Sequence, residues 1–325
     1  MKIEVTPSGS KRVIIVDALN LFVRNYVVNP TMDSKGIPIG GSIGFLKSLQ
    51  KLVRKTRPDE VIISWDGIGG SQRKKSQNKD YKAGRNPLRF NRRMIELDPK
   101  QQKQNRIYQQ IRLFEYLNEL PVFQISIDAV EADDVIAYMS RHPYYQDWQK
   151  IIISSDKDFF QLCDNTTVVY RPIQDTLETD GTLVHTYGIH PNNFALARAI
   201  AGDPSDNLKG VPRVGLKSVA KNFSFLSESK QYDMDDLASI CEEQKKPKAI
   251  HRNLLEHRKT VDQNYDLMQL YDPNISLIHR QSIDFQIKNY ESESNKLNFR
   301  KLLFSDGQGS LNFDDLWLHL KNVTR

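Results

Sequence analysis

The sequence predicts an α/β domain with a mostly parallel central sheet flanked by helices, followed by a smaller helical domain. Three observations carry this. Apolar runs of strand length, Val13–Val16, Val61–Trp65 and Ile151–Ser155, alternate with segments of helical spacing. Each run is followed at once by an aspartate: Asp17, Asp66 and Asp156. Farther along, a helix, a glycine-bracketed turn and a second helix stand in succession between about residues 193 and 223.

In chain order, Val13-Ile14-Ile15-Val16 is apolar at every position, as a strand covered on both faces must be. Phe45, Leu46, Leu49, Leu52 and Val53 then form a helical stripe, with Pro58 just past its end. The second strand is Val61-Ile62-Ile63-Ser64-Trp65. A second stripe, Ile107, Ile111, Phe114 and Leu117, stops at Pro121 and leads into a short strand, Val122–Ile125. Glu131-Ala132-Asp133-Asp134 opens a helix that continues through Val135, Ile136, Ala137 and Tyr138. The third strong strand ends at Asp156, with Asp158 two residues on.

Charge is unevenly placed. The chain has 46 Lys and Arg against 40 Asp and Glu, a net +6. Arg73–Arg106 alone holds twelve basic and three acidic residues, net +9, which leaves the other 291 residues at net −3. With few large apolar residues and no strand pattern, this stretch is expected outside the core. Two readings stand for it: a solvated basic loop, or an electrostatic clamp on phosphates in which the rings of Tyr81 and Phe90 stack on bases.

Several classes are excluded. No run of about 18 apolar residues exists to span a membrane, and Met1–Val16 lacks the apolar stretch of a secretory signal. Cys163 and Cys241 are too few for a disulfide framework or a cysteine zinc site, and no HExxH pair occurs. A reducing compartment is expected.

The acids carry the chemistry. In open α/β sheets the ligand crevice lies beyond the carboxyl ends of the strands, where Asp17, Asp66 and Asp156 should converge. Taken singly, each suits a turn or a helix cap, and acids at a helix start are favoured by its dipole. Together they repel unless cations neutralise them. Hard oxygen ligands without His or Cys suit Mg²⁺ or Mn²⁺, and paired ions about 4 Å apart are a standard device for phosphodiester hydrolysis. Downstream, Gly202-Asp203-Pro204-Ser205-Asp206-Asn207 and Gly210-Val211-Pro212-Arg213-Val214-Gly215 separate two short helices. Such a helix–hairpin–helix lets backbone N–H groups approach a phosphate, and reads backbone and not base sequence.

The strings Val16-Asp17, Trp65-Asp66, Tyr81-Lys82-Ala83-Gly84-Arg85, Glu131-Ala132-Asp133-Asp134, Asp156-Lys157-Asp158 and Gln161-Leu162, followed by the two glycine-bracketed strings, resemble the 5′-nuclease family. That family comprises the N-terminal domain of bacterial DNA polymerase I, free-standing phage 5′–3′ exonucleases and RNase H, and the flap endonucleases. The resemblance implies a PIN-like catalytic domain over residues 1–188, with a basic arch at about 70–106. A helical DNA-binding domain over 189–325 would hold the helix–three-turn–helix and a C-terminal extension. One metal ion would be held by Asp17, Asp66, Glu131 and Asp133, and a second by Asp156, Asp158, Asp203 and Asp206, with Asp134 just outside. Lys82 and Arg85 would act catalytically on the scissile phosphate. Nucleic acid would be contacted by Arg24, Arg73, Lys74, Lys75, Lys79, Tyr81, Arg89, Arg92 and Arg93, and at the hairpin by Gly210, Val211, Arg213, Gly215 and Lys217. The implied cofactors are two Mg²⁺, replaceable by Mn²⁺, and K⁺ at the hairpin. Arg213 departs from the family, standing where a glycine is frequent.

The activity so implied is structure-specific 5′–3′ exonuclease or flap-endonuclease cleavage of DNA or RNA–DNA hybrids. It would leave 5′-phosphate and 3′-hydroxyl, with primer or flap removal in replication as the role. Expected partners are DNA with a 5′ end, flap, nick or RNA–DNA hybrid, and single-stranded-DNA-binding or other replication proteins. No membrane association is expected. A stand-alone monomer in the cytoplasm of a bacterium or phage-infected host is expected, since no polymerase domain follows. Two alternatives stay open: a non-catalytic structure-specific DNA-binding protein, and a PIN-type ribonuclease.

Overall fold

The computed structural model describes residues 11–83 and 97–320. Arg85, Arg89, Phe90, Arg92 and Arg93 lie outside the described residues. The chain begins with β1 (Arg12–Asp17), α1 (Ala18–Val28), α2 (Gly40–Thr56), β2 (Glu60–Trp65), a short α3 (Gln72–Gln77) and α4 (Pro99–Asn118). It continues through β3 (Phe123–Ser126), α5 (Ala132–Ser140), β4 (Gln149–Ile153), β5 (Thr167–Arg171) and β6 (Thr176–Glu178). The sheet order is β3-β2-β1-β4-β5-β6, with the first five strands parallel and β6 antiparallel to β5. From β1 the chain moves outward to β2 and β3, then returns to place β4 on the other side of β1. Crevices open at such a reversal, beyond the carboxyl ends of the strands. Asp17 ends β1 opposite Ser64, and Val16 pairs with Ile153, so Asp17 and the residues after Ile153 share one edge.

Both sheet faces are covered, which explains the unbroken apolar strands. Ile14, Val16, Ile63 and Ile153 face a core completed by α1, α2 and α4, while Val13, Ile15, Ile62 and Ile152 face a second core with α5 and the later helices. These later helices are α6 (Asp180–Tyr187), α7 (Pro191–Ala201), α8 (Leu216–Asn222), α9 (Met234–Glu242), α10 (Ala249–Glu256), α11 (Arg258–Met268), α12 (Leu277–Asn289), α13 (Lys296–Ser305) and α14 (Asp314–Leu320). A two-residue ladder, β7 (Gly202–Asp203) with β8 (Leu208–Lys209), closes the loop after α7. The last two helices return to the first core: Phe299, Leu303, Phe313, Leu316 and Leu320 pack with the residues of α2 and α4. Arg112 of α4 grips both oxygens of Asp306 at 2.7 Å.

Two expectations are corrected. Of the stripe expected on α4 only Leu117 lies on its buried face: Ile107 and Ile111 are 45% and 55% exposed, and Asn105, Gln109, Leu113 and Tyr116 point inward beside Leu117. Gln109 accepts from the Gly41 N–H (2.6 Å) and donates to Asn105 (2.7 Å), which donates to the Pro38 carbonyl (2.9 Å). Buried amides satisfied in this way pack like core residues, although their polarity suggests the surface. The basic segment is likewise not wholly outside the core, because Lys74 is 7% exposed and Tyr81 only 3%.

Candidate active site

The site is built from the strand ends outward. Asp17 caps α1, accepting the Asn20 N–H (3.0 Å) on one oxygen and the Ser154 hydroxyl (3.0 Å) on the other. Asn20 in turn accepts the Ser155 N–H (3.1 Å), which ties the end of β4 to the start of α1. Asp66 accepts the Ala132 N–H at 2.8 Å, capping α5 from a neighbouring strand, while Asp156 accepts the Asp158 N–H at 2.9 Å. The helix-cap reading does not exclude the convergent one, because these backbone hydrogen bonds orient the carboxylates at the strand ends.

Their electrostatics reveal how close they stand. Burial, followed by repulsion from Asp156 and Asp66, pushes the Asp17 carboxyl up to about 7. Burial and the charges of Asp17 and Asp156 raise Asp133 well above the usual carboxylate range. Burial and Asp156 raise Asp158 to about 7 against the opposing pull of Arg198. Among the described residues, Asp17, Asp133 and Asp156 make no ion pair.

Glu131 is handled differently. Lys74 (2.7 Å) and Lys82 (2.6 Å) each take one of its oxygens, and the Tyr81 hydroxyl donates to it at 3.2 Å. Burial alone would raise the Glu131 carboxyl; the two ammonium groups reverse this and hold it at about 2. Asp134 accepts the Asn274 N–H (3.0 Å) and stands 3.6 Å from Lys74, bracing α5 against the later helices. The base of the arch docks on the loop between β7 and β8. The Lys82 N–H donates to the Asp206 carbonyl (2.8 Å), Asn207 donates to the Asp80 carbonyl (3.1 Å), and Tyr81 packs with Leu208, Leu267 and Met268.

In the second set of acids, Arg198 of α7 bridges Asp158 (3.0 Å) and Asp203 (2.6 Å). Asp203 also accepts the Ser205 N–H and hydroxyl at 2.8 and 2.7 Å. Burial would raise Asp203, but Arg198 and Ser205 hold it below the usual range. The loop carrying Asp203 and Asp206 is pinched at its neck by two glycines. A Cβ on Gly202, at φ +76°, would lie 2.3 Å from the Gly210 nitrogen, and one on Gly210 would lie 2.3 Å from the Ala201 carbonyl carbon.

Among the described residues no group of three or more acids closes around a common point in a way that could hold an ion. Three of the acids are instead engaged by cations: Lys74 and Lys82 hold Glu131, and Arg198 holds Asp158 and Asp203. The donor set nonetheless fits divalent cations. Asp17, Asp133 and Asp156 are hard-oxygen groups with no ion pair among the described residues, and the pull of Lys74 and Lys82 on Asp133 does not offset its burial and the charges of Asp17 and Asp156.

The chain matches the 5′–3′ exonuclease N-terminal resolvase-like domain over residues 12–188. It belongs to the 5′–3′ exonuclease family. A 5′–3′ exonuclease of Buchnera aphidicola is 29% identical over 269 residues, spanning 80% of this chain and 86% of the relative. The thermostable DNA polymerase I of Thermus aquaticus is 31% identical over 218 residues, 66% of this chain but 24% of that longer protein. The fold is shared with the bacteriophage T5 flap endonuclease, at 18% identity and a TM-score of 0.64 over 92% of this chain and all of the other.

Within this family member, two residues expected at nucleic acid turn inward. Lys74 and Tyr81 are buried against Glu131, so neither can contact a phosphate or stack on a base in this arrangement. Arg73, Lys75 and Lys79 are exposed, and Arg24 is half-buried on α1. At the hairpin, Val211 is buried, while Arg213, Gly215 and Lys217 are exposed. Among the described residues, no acceptor meets the N–H groups of Arg213, Gly215, Leu216 or Lys217. Arg213 has φ 63°, the left-handed conformation that a glycine adopts without strain.

Arg198 and the inward role of Lys74 escaped the sequence reading, as did Asn20 and Ser154. A signal for Arg198 was present: it is the lone charge in Phe194-Ala195-Leu196-Ala197-Arg198-Ala199-Ile200-Ala201. A cation in so apolar a helix must find a carboxylate.

Proposed function

We propose that this 5′ nuclease hydrolyses phosphodiester bonds at or near the 5′ ends of DNA, flaps, nicks and RNA–DNA hybrids, leaving 5′-phosphate and 3′-hydroxyl. The observation that carries the reading is the mutual repulsion of Asp17, Asp133 and Asp156 at and beside the strand ends, with the Lys82 ammonium fixed nearby on Glu131. Asp17, Asp66, Glu131 and Asp133 would hold one divalent ion, with Lys74 and Lys82 on Glu131 in its absence, and Asp156, Asp158, Asp203 and Asp206 another. Mg²⁺ is proposed, with Mn²⁺ able to replace it. Bound there, such ions would supply Lewis-acid activation of water and countercharge for the leaving oxygen.

The chain's own groups do the rest. Asn20 and Ser154 orient Asp17, and the Ala132 N–H orients Asp66. Lys82 has φ 56° and is anchored through its N–H to Asp206, so its ammonium is held at the acids, where a phosphate would develop charge. The hairpin N–H groups and Arg213 would hold the duplex backbone, with K⁺ proposed beside them. Replication proteins as partners, a monomeric state and a cytoplasmic location complete the proposal.

Cleavage of a DNA 5′ flap, a nicked duplex, a 5′-RNA-primed duplex and free RNA, compared side by side in Mg²⁺, tests it. Cutting of the duplex substrates over free RNA is expected. Preferential cutting of free RNA would favour a ribonuclease, and binding without cleavage would favour a non-catalytic role.

A further inference from the structure

Directly after Asp66 the chain makes a tight turn, Gly67-Ile68-Gly69-Gly70, on its way from the carboxyl end of β2 to α3. Ile68 stands on this turn 85% exposed, more than any other large apolar residue described. A lone apolar residue at a surface is ordinary; the placement and stiffness of this one are not. The Ile68 carbonyl accepts the Ala129 N–H (2.9 Å), the Gly67 N–H donates to the Val130 carbonyl (3.0 Å), and the Gly70 N–H closes on the Gly67 carbonyl (3.0 Å). The turn is thereby tied to the segment that leads into Glu131. Packing is so close that a Cβ on Gly67 would lie 1.7 Å from the Ile127 carbonyl oxygen. A side chain stiff at its own Cβ is thus held out in water between Asp66, which precedes it, and the exposed cations Arg73 and Lys75, which follow.

We propose that Ile68 is a substrate-positioning residue that packs on the nucleobase next to the scissile phosphate and holds it out of its stack. The inference rests on the cleavage reading above and names how the strand is held there. Asp17 and Glu131 are buried, so a phosphate in a regularly stacked strand reaches them only once its nucleotide leaves the stack. The base so freed turns an apolar face to water. Isoleucine is among the side chains that wedge between base steps in nucleic-acid-binding proteins, and Ile68 offers such a surface at the rim while Arg73 and Lys75 attract the backbone. The contact forms only after unstacking, so it favours the cleavage-ready arrangement over the initial complex. It carries no sequence preference, because every base presents such a face.

The test follows unstacking and cleavage separately. Product sizing first locates the scissile phosphate in a DNA 5′ flap. The same flap then carries 2-aminopurine, which brightens on leaving a stack, beside that phosphate, and is mixed rapidly with excess full-length protein in Mg²⁺. Wild type should show a rise in fluorescence before cleavage. Ile68→Ser should lose most of that rise and cut at least about tenfold more slowly at saturating protein, with flap affinity within about threefold of wild type. Ile68→Leu, which keeps the apolar bulk, should retain both the rise and the rate. The urea midpoints of wild type and both variants should coincide, since the side chain buries little in the fold.

A Ser variant with the wild-type rise and rate would overturn the proposal, as would a Leu variant as slow as the Ser variant. A lowered urea midpoint in the Ser variant would make Ile68 structural and overturn it too. So would a defect confined to binding, with the wild-type rate at saturation, which would leave Ile68 a docking contact only. Wild type that cleaves with no earlier rise defeats the Ile68 inference and leaves the cleavage reading intact. Wild type that binds the flap but neither cuts it nor brightens the probe defeats the cleavage reading beneath.

Discussion

Asp17 should make the metal-free protein lose stability as the pH rises through neutrality. Its carboxyl is raised from 3.8 to about 7 by burial and by Asp156 and Asp66, so between these values the folded chain holds a proton that the unfolded chain has released. Stability must then fall with rising pH in that window, at about 1.4 kcal/mol per pH unit for one group, and level off above it. From pH 5 to pH 8, Asp17 alone accounts for roughly 3 kcal/mol. Asp158, also raised to about 7, adds in the same direction. Glu131, held at about 2, acts in the opposite sense but only below 4.5, outside this range. Urea unfolding in EDTA at pH 5 and pH 8 reads the effect. Asp17→Asn, which keeps an oxygen acceptor for the Asn20 N–H or the Ser154 hydroxyl, should remove about 3 kcal/mol of the loss. Mg²⁺ should restore wild-type stability at pH 8. Wild type that is equally or more stable at pH 8 in EDTA, or an Asn variant with the wild-type slope, would refute the reasoning.

Lys74→Met strands the buried carboxylates of Glu131 and Asp134 with one cation fewer, and should cost about 3–5 kcal/mol in urea unfolding while leaving the salt dependence of DNA binding unchanged. Lys75→Ala should do the reverse: near-wild-type stability, and a salt-dependence slope for DNA binding smaller by about one. Tyr81→Phe removes one hydrogen bond to Glu131 and should cost about 1 kcal/mol, against about 3–5 for Tyr81→Ala, measured the same way. Arg213→Gly relieves about 1–2 kcal/mol of left-handed strain but adds unfolded-state entropy, so stability should move by less than about 1 kcal/mol while duplex affinity falls uniformly across sequences in a binding titration.

How far the site was legible depends on the kind of signal. The strands at Val13, Val61 and Ile151 show themselves as continuous apolar runs, and β-sheet topology then carries Asp17 and Asp156 to one edge. Val168-Val169-Tyr170 is too short a run to stand out, so β5 and its partner β6 went unread. The inward face of α4 was misread because Asn105 and Gln109 are buried by hydrogen bonding and not by hydrophobicity. In the basic segment, charge alone could not separate Lys75, which faces water, from Lys74, which turns to Glu131. Sequence placed the acids; only packing shows which of them already have a cation.

The central claim is that the converging aspartates support divalent-metal hydrolysis of a 5′-ended strand. The most direct measurement compares cleavage and binding of a 5′-flap duplex in Mg²⁺ by wild type and Asp156→Asn, with an EDTA control. Cleavage by wild type that vanishes in the variant and in EDTA, with binding by the variant within a few-fold of wild type, is the predicted result. Cleavage that survives either the substitution or the chelator at the wild-type rate would contradict it.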